Sequence, residues 1–181
     1  MAYLDESIDR NPMDKVARPR KKKDKDGENQ KQTISAFTTP EIDEIYGNLE
    51  NEPLKWQALI HFLVDSACRR GEALGLEWNM LDFDSLTANI TQNIRYTPEK
   101  GIYISTPKSG KSRTVYFTQE TAELLRALKI KQSESCLSAF VFSQDYDPAP
   151  MHPDSVNRFC QKFSKKYNIP DFQIGRASCR E

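Results

Sequence analysis

Two short stretches of this chain carry the residue types from which a phosphoryl-transfer site is built. Ser66 to Trp78 reads SACRRGEALGLEW, and Thr106 to Phe117 reads TPKSGKSRTVYF. The first predicts an arginine at the start of a short helix, and the second predicts a lysine on a β-hairpin turn. An arginine fork can hold two oxygens of one phosphate and keeps its charge, and an ammonium group can protonate a leaving oxygen. The sequence therefore indicates two cations around one phosphate.

Arg69 is the candidate for the arginine that holds the phosphate. A helix start would add free backbone amides and the positive end of the helix dipole, which both favour an anion. The alternative is that Arg69 or Arg70 only pairs with Glu72 or Glu77 on the surface, an interaction worth about 0 to 1 kcal/mol. The charge pattern alone favours this alternative, and the surrounding motif reverses the preference.

That motif resembles the opening pattern of the tyrosine recombinases, or phage-type integrases, T-G-x-R-x-G-E-x-L-x-L-x-W. Ser66 and Ala67 stand in place of Thr-Gly. The other motif positions are filled by Arg69, Gly71, Glu72, Leu74, Leu76 and Trp78. Arg69 rather than Arg70 lies in the family's register, because it precedes Glu72 by three residues. The resemblance covers about residues 36 to 172. It implies an α+β fold that is mainly helical, with a small three-stranded antiparallel sheet, like the catalytic domain of DNA breaking-rejoining enzymes.

The resemblance also implies roles for residues near Arg69. Lys108 matches the lysine of the family's hairpin loop, which protonates the leaving 5′ oxygen as a general acid, and its neighbour Lys111 competes for that role. Glu72 matches the acid that braces the family's site, so we expect it to orient an arginine from the second layer of the site. A helix-capping or surface role for Glu72 remains open. Arg113 is expected to contact a backbone phosphate or solvent.

The activity implied by the resemblance is site-specific DNA recombination through a covalent 3′-phosphotyrosine, without metal or nucleotide cofactor. The partner would be double-stranded DNA, with the parent protein a tetramer on it. The family's H-x-L-R-H box and its nucleophilic tyrosine have no match here, since the tyrosines up to Tyr167 precede the point where that box begins. Packing and capping explain His61 and His152 better than catalysis does. The chain as given is therefore expected to be inactive.

A basic segment near the N-terminus is hidden by the net charge of zero. Residues 15 to 25 hold seven basic residues against Asp24, a formal charge of about +6, so the remainder carries about −6. Such a block stays extended as a linker or tail and sometimes follows a polyanion. The residues expected to contact DNA are Lys15, Arg18, Arg20, Lys21, Lys22, Lys23, Lys111 and Arg113.

The resemblance, together with the charge and apolar pattern, implies four parts of the chain. By the resemblance, residues 1 to 13 would end a helical core-binding domain, and residues 14 to 36, which are charged and poor in apolar residues, are expected to form a flexible basic linker. Residues 37 to 173 correspond to a truncated integrase catalytic domain. Residues 174 to 181, which include GRASCRE, resemble sequence from a cloning adapter. We therefore expect the native protein to continue differently after Phe172 or Gln173.

Periodicity predicts the elements that position the two cations. Apolar spacing and cap residues predict helices over residues 40–49, around 56–64, from 69 or 70 to about 76, over 118–130 and over 153–168. Runs of β-branched and aromatic residues predict strands over 86–96, 102–105 and 113–117. We expect these strands to form one antiparallel sheet whose last two strands are joined by a turn at Ser109-Gly110.

Composition also limits other functions. The chain has 38% hydrophobic residues, no apolar run near the roughly 18 residues of a membrane span and no pattern of a secretory signal, so the cytoplasm is expected. Its cysteines lack metal-ligand spacing, and we expect reduced thiols and no metal site at Cys68, Cys136, Cys160 and Cys179.

Two other functions stay open. One is a noncatalytic helical DNA-binding or regulatory module whose basic segment supplies salt-dependent affinity. The other is a helical interaction protein with a solubilising basic tail. An integrase fold should bring Arg69 and Lys108 together on a concave basic face.

Overall fold

The computed structural model describes residues 37–107, 110–169 and 172. These residues belong to one compact unit of the chain, Ile34–Glu181. The predicted core-binding tail, the basic linker, Lys108 and the tail over residues 174–181 lie outside the described residues. Within them, helices pack around small antiparallel sheets, so the predicted α+β fold is confirmed.

The helices occur in the predicted order. They are α1 (Thr39–Leu49), α2 (Leu54–Ser66), α3 (Arg70–Leu74), α4 (Gln119–Ser135) and α5 (Pro153–Tyr167). A single 3-10 turn follows α3 at Trp78–Met80. α4 ends later than the predicted residue 130, because residues 131–135 contain no proline or glycine that would stop it.

Side-chain caps fix the starts of α1 and α4. The sequence predicts Thr39 as the cap of α1, but Thr38 holds that position. Its backbone amide and its hydroxyl donate to the Glu41 carboxylate at 2.7 and 2.8 Å. Thr118 caps α4 as predicted, because its hydroxyl oxygen accepts the Thr121 amide at 3.3 Å. Asp65 of α2 accepts from the amide and the hydroxyl of Thr118 at 2.9 and 2.7 Å. The start of α4 is therefore attached to α2.

The strands pair differently from the prediction. The three-stranded sheet has the order β1–β2–β5, made of Leu81–Asp82, Thr87–Ile90 and Arg113–Tyr116, with antiparallel neighbours. A separate antiparallel hairpin pairs β3 (Asn93–Thr97) with β4 (Gly101–Ser105). A second hairpin pairs β6 (Ser143–Gln144) with β7 (Asp147–Pro150). The predicted pairing of strand 102–105 with strand 113–117 is therefore wrong, since each pairs with an earlier segment.

The cause of this difference is a break in the predicted strand 86–96. Its first part belongs to the sheet and its second part to the hairpin, with residues 91 and 92 between them. At the break, the side-chain amide of Gln92 donates to the Gly75 carbonyl at 2.7 Å and to the Glu77 carboxylate at 2.8 Å. The chain therefore turns toward the segment after α3 instead of continuing along β2.

One hydrophobic core fills the space between the helices and the sheet. The predicted inner faces of α2 and α5 are buried, and their members are Leu59, Ile60, Leu63, Val64, Val156, Phe159, Cys160 and Phe163. Trp56 stacks on Phe159 with ring centroids 4.2 Å apart, and Trp56 and Trp78 are partly buried against the core. Full burial of each large apolar side chain contributes about 1.5 to 3 kcal/mol. This core supports α3 and β5, which carry the candidate site.

Candidate functional site

A buried carboxylate lies at the centre of the candidate site. The side chain of Glu72, in the first turn of α3, is only 1% exposed. Its Oε2 accepts the backbone amide of Arg69 at 2.9 Å and Nη2 of Arg113 at 2.6 Å, while its Oε1 accepts Nη1 of Arg69 at 3.2 Å. A buried charge is tolerated only when it is paired and hydrogen-bonded, and these three donors meet that requirement.

The pKa of Glu72 reflects these contacts. Burial by itself would raise the pKa of this carboxyl group, but the hydrogen bonds from Arg113 and from the Arg69 amide and guanidinium outweigh burial and hold the pKa below its usual value. The same contact with Glu72 raises the pKa of Arg113. Glu72 is therefore a carboxylate at neutral pH, with one arginine on each side.

A close backbone approach positions α3 and its arginine. A Cβ on Gly71 would lie 2.5 Å from the carbonyl oxygen of Ile94, closer than real Cβ atoms come. The hairpin residue Ile94 can sit there only because position 71 has no side chain. Arg69 precedes the first residue of α3 with extended backbone, and Glu72 caps its amide, so the capping alternative for Glu72 is realised together with the pairing to arginines.

An open cleft of about 620 Å³ runs beside this cluster. Its walls come from the start of α3, from the β3–β4 hairpin and from the start of α5. Among the described residues, three arginines line it, Arg69, Arg70 and Arg95, against one acid, Asp154. The side chain of Arg69 is 62% exposed, so its guanidinium is held by Glu72 at one nitrogen while the residue still faces solvent. The cleft is therefore a basic surface suited to an anion.

The second arginine of the motif has a different neighbour. Nη1 of Arg70 lies 3.9 Å from Oδ1 of Asp154, at the start of α5. His152 caps α5, because its Nδ1 accepts the Asp154 amide at 3.1 Å, and its ring packs on Tyr96 with centroids 4.3 Å apart. Arg70 thus lies between the cleft and the start of α5, and the choice of Arg69 as the phosphate candidate still depends on the register of the motif.

The histidine His61 is part of the packing, as expected from the sequence. Its ring stacks on Tyr46 with centroids 3.9 Å apart. Burial is the main cause that lowers its pKa, although nearby carboxylates, Asp65 first among them, oppose this effect. His61 is therefore a neutral packing residue at neutral pH.

The structure brings some of the predicted site residues together. Arg69, Glu72 and Arg113 form one cluster, whereas Lys108 lies outside the described residues, so its distance from Arg69 stays a prediction. Before β5, the Gly110 amide donates to the Pro107 carbonyl at 2.9 Å and Gly110 has a φ of +67°, while Ser109 of the predicted turn lies outside the described residues. Lys111 is exposed after this turn. The basic residues between Lys15 and Lys23 lie outside the described residues.

Sequence reasoning missed the hairpin wall of the cleft. Asn93, Arg95 and Tyr96 line it, although no motif singles them out. The available signal was the glycine at position 71, which indicates close contact with another part of the chain without identifying that part.

The described residues show neither a metal centre nor a membrane span. No group of three or more His, Cys, Asp or Glu side chains among them could hold a metal ion. None of their helices is both long enough and apolar enough to cross a bilayer. The described thiols, Cys68, Cys136 and Cys160, form no disulfide with one another.

Comparison with known families gives a match over most of the chain. Residues 36–175 match the sequence model of the phage integrase family. No curated protein sequence matches the chain.

Several solved structures resemble the fold. An integrase of the Tn1549 transposon, in complex with circular intermediate DNA, is 18% identical and covers 98% of this chain and 59% of its own, with a TM-score of 0.72. The XerA recombinase is 15% identical over 78% of this chain and 47% of its own, with a TM-score of 0.61. The XerH site-specific recombinase, bound to palindromic difH substrate, is 12% identical over 82% of this chain and 41% of its own, with a TM-score of 0.61. At these identities the likeness shows the fold, and the chain spans only part of each of these proteins.

Proposed function

This chain belongs to the phage integrase family, and we propose that it is part of a site-specific recombinase that cuts and rejoins DNA through a 3′-phosphotyrosine. The buried Glu72 carboxylate, which holds Arg69 at the rim of a basic cleft, supports this function most directly. A surface ion pair would leave both partners exposed, whereas here the acid is enclosed and the cation faces solvent.

In this proposal Arg69 binds the nonbridging oxygens of the scissile phosphate. Its planar fork suits two oxygens of one phosphate, and its charge stabilises the negative charge that builds on the phosphoryl group in the transition state. A tyrosine hydroxyl would attack phosphorus and form an ester with the 3′ phosphate, while the bond to the 5′ oxygen breaks. Lys108 would donate a proton to that leaving oxygen as general acid. Glu72 would orient Arg69 without touching DNA.

We further propose that none of the tyrosines of this chain is the nucleophile. Tyr96 and Tyr103 line the cleft, but both belong to the β3–β4 hairpin. The ring of Tyr96 packs on His152, and the Lys100 ammonium lies 5.7 Å from the centre of the Tyr103 ring. Both rings thus serve the local packing of the hairpin and of α5.

Double-stranded DNA is the proposed partner. The Tn1549 integrase and XerH structures contain DNA, and the cleft of this chain has a surplus of arginine. The basic residues between Lys15 and Lys23, together with Lys111, would contact the backbone and give strongly salt-dependent affinity. The whole recombinase would act as a tetramer on two duplexes.

A DNA-mapping experiment tests the proposed site. We expect a 12-base-pair duplex, added to the isotope-labelled full chain, to shift the NMR amide signals of Arg69, Gly71 and Arg95. Signals from the middle of α4 should not move. Shifts confined to residues 15–25 would instead support a DNA-binding module that uses only its basic segment.

A covalent-trapping experiment tests the missing nucleophile. Incubation of the chain with supercoiled plasmid, and with nicked substrates that trap the covalent intermediate, should give no protein–DNA adduct on a denaturing gel. A protein–DNA adduct would show that one of the tyrosines present is the nucleophile.

A further inference from the structure

Glu72 holds Arg113 more closely than it holds Arg69. Nη2 of Arg113 lies 2.6 Å from Oε2, whereas Nη1 of Arg69 lies 3.2 Å from Oε1. The side chain of Arg113 is also the less exposed of the two, at 36% against 62%. The sequence predicted that Arg113 contacts a backbone phosphate or solvent. A guanidinium engaged this closely by a buried carboxylate would have to give up that charge-assisted bond to reach DNA.

The charges of the cluster give Arg113 another purpose. If Glu72 faced Arg69 alone, the pair would be neutral and the field of Arg69 toward a phosphate would be largely cancelled. With Arg113 present, the three side chains carry one net positive charge. Because Arg113 is the partner at short distance, the excess charge is associated with the more exposed Arg69, at the rim of the cleft.

The backbone explains how Arg113 can act on Arg69. Arg113 lies opposite Ile90 in the three-stranded sheet, so its position is set by β2 and not by α3. Its bond to Glu72 therefore links the sheet to the first turn of α3. Glu72 passes that restraint on, because the same carboxylate receives both the amide and the guanidinium of Arg69.

We propose that Arg113 is a positioning residue that acts through Glu72: it keeps the guanidinium of Arg69 oriented toward a DNA phosphate and offsets the negative charge of Glu72 that would otherwise cancel the field of Arg69. It makes no contact with DNA itself. This inference rests on the proposed function, since Arg69 is the phosphate ligand in both.

Measurements without DNA test the link between Arg113 and Arg69. R113M keeps the aliphatic stem and removes the charge, whereas R113K keeps a charge. The control is R126M, which removes the charge of Arg126; this residue belongs to α4 and packs over the ring of Phe83, away from the cluster. In R113M we expect the Nε–Hε NMR signal of Arg69 to shift and the titration midpoint of the Glu72 carboxyl group to rise. R113K should restore most of both values, and R126M should change neither.

These spectra separate positioning from simple packing. If Arg113 only fills space, the Arg69 signal and the Glu72 titration midpoint of R113M should match those of the wild type, and R113K should bring neither value closer to it. That result would overturn the inference. Among the described residues, the cations that face Glu72 are Arg69 and Arg113, and the Cys68 thiol lies nearby, so these are the groups that set the titration midpoint of Glu72. If R113M does not fold, R113Q is the second variant without the charge: it should also shift the Nε–Hε signal of Arg69 and raise the titration midpoint of Glu72, and wild-type values in R113Q would overturn the inference.

A double-substitution cycle on DNA affinity tests the functional consequence. We expect R69Q to weaken binding of the full chain to a short duplex roughly tenfold, the size of one charge-assisted hydrogen bond. R113M should weaken it roughly threefold, since such a bond is only partly lost. In the R69Q background R113M should have no further effect, because its influence passes through Arg69.

The outcomes distinguish the two proposals. If R113M costs the same factor with and without Arg69, Arg113 binds phosphate directly, and the positioning role is wrong while the proposed function stands. If R69Q leaves affinity unchanged, the proposed phosphate site is wrong, and the DNA-free spectra still decide whether Arg113 orients Arg69.

Discussion

Gly71 lies so close to the backbone of Ile94 that a single methyl group at position 71 would fall 2.5 Å from the Ile94 carbonyl oxygen. This carbonyl cannot easily move, because Ile94 is paired with Ile104 in the β3–β4 hairpin. We therefore expect G71A to lower the free energy of unfolding by about 1 to 3 kcal/mol, the usual cost of overpacking. Urea denaturation followed by circular dichroism measures the change.

Gly47 provides the matched control for G71A. It lies inside α1, and a Cβ there would meet no atom within 4 Å. G47A should therefore raise stability by about 0.5 to 1 kcal/mol, because alanine is the better helix former. Equal effects of the two substitutions would show that backbone propensity, and not the contact with Ile94, governs position 71.

Asp65 should be essential for attaching α4 to α2. Its carboxylate accepts the amide and hydroxyl of Thr118 and the hydroxyl of Thr121, the last at 2.7 Å. We expect D65A to lower the unfolding free energy by about 1 to 3 kcal/mol, since it leaves buried Thr121 without this acceptor. The exposed Asp43 on α1 is the control, and D43A should change stability by less than about 0.5 kcal/mol. A loss in D65A no larger than in D43A would contradict the attachment.

Glu72 should make stability depend on pH. Its pKa is lowered in the folded state, so its contribution is present above the ordinary carboxyl value of 4.5 and is lost as pH falls through the folded-state pKa. We expect E72Q to cost about 2 kcal/mol at pH 7, because hydrogen bonds to a charged group are lost, and much less at pH 3. Urea midpoints of the wild type and of E72Q at several pH values give the difference in stability between them. A difference that stays constant with pH would show that the charge of Glu72 does not stabilise the fold.

Two thiols should resist modification in the folded protein. Burial raises the pKa of Cys68 and of Cys160 to about 12, so both remain protonated thiols at pH 8. Iodoacetamide at this pH should leave them unmodified in the native state and modify them in urea, as peptide mass spectrometry would show. The less buried Cys136 serves as the internal reference for native reactivity. Equal native reactivity of all three would contradict the burial of Cys68 and Cys160.

The helices could be predicted because their signals are local. Thr118 precedes α4, and proline and aspartate open α5, so cap and period agree without any distant contact. The pairing of the strands could not be predicted in the same way. The break at Gln92 depends on its hydrogen bonds to Gly75 and Glu77, which lie well before it in sequence.

The candidate site was predictable in residue type but not in arrangement. The spacing of Arg69 and Glu72 in one helical turn indicates an interaction between them, and the structure shows it. The engagement of Arg113 by Glu72 joins α3 to β5, two elements far apart in sequence, so local pattern carries no sign of it. The burial of Glu72 follows from the surrounding fold and makes the same ion pair far more consequential than on an open surface.

The β3–β4 hairpin leaves the three-stranded sheet after Ile90, and the chain returns at Arg113, its direct partner. Ile90 and Arg113, which flank the β3–β4 hairpin in sequence, therefore face each other on one rung of the sheet. Insertions or deletions at the tip of the hairpin, between β3 and β4, would change the length of the hairpin without shifting the register of the sheet beneath. The length of the hairpin and the charge balance around Glu72 are thus separable properties.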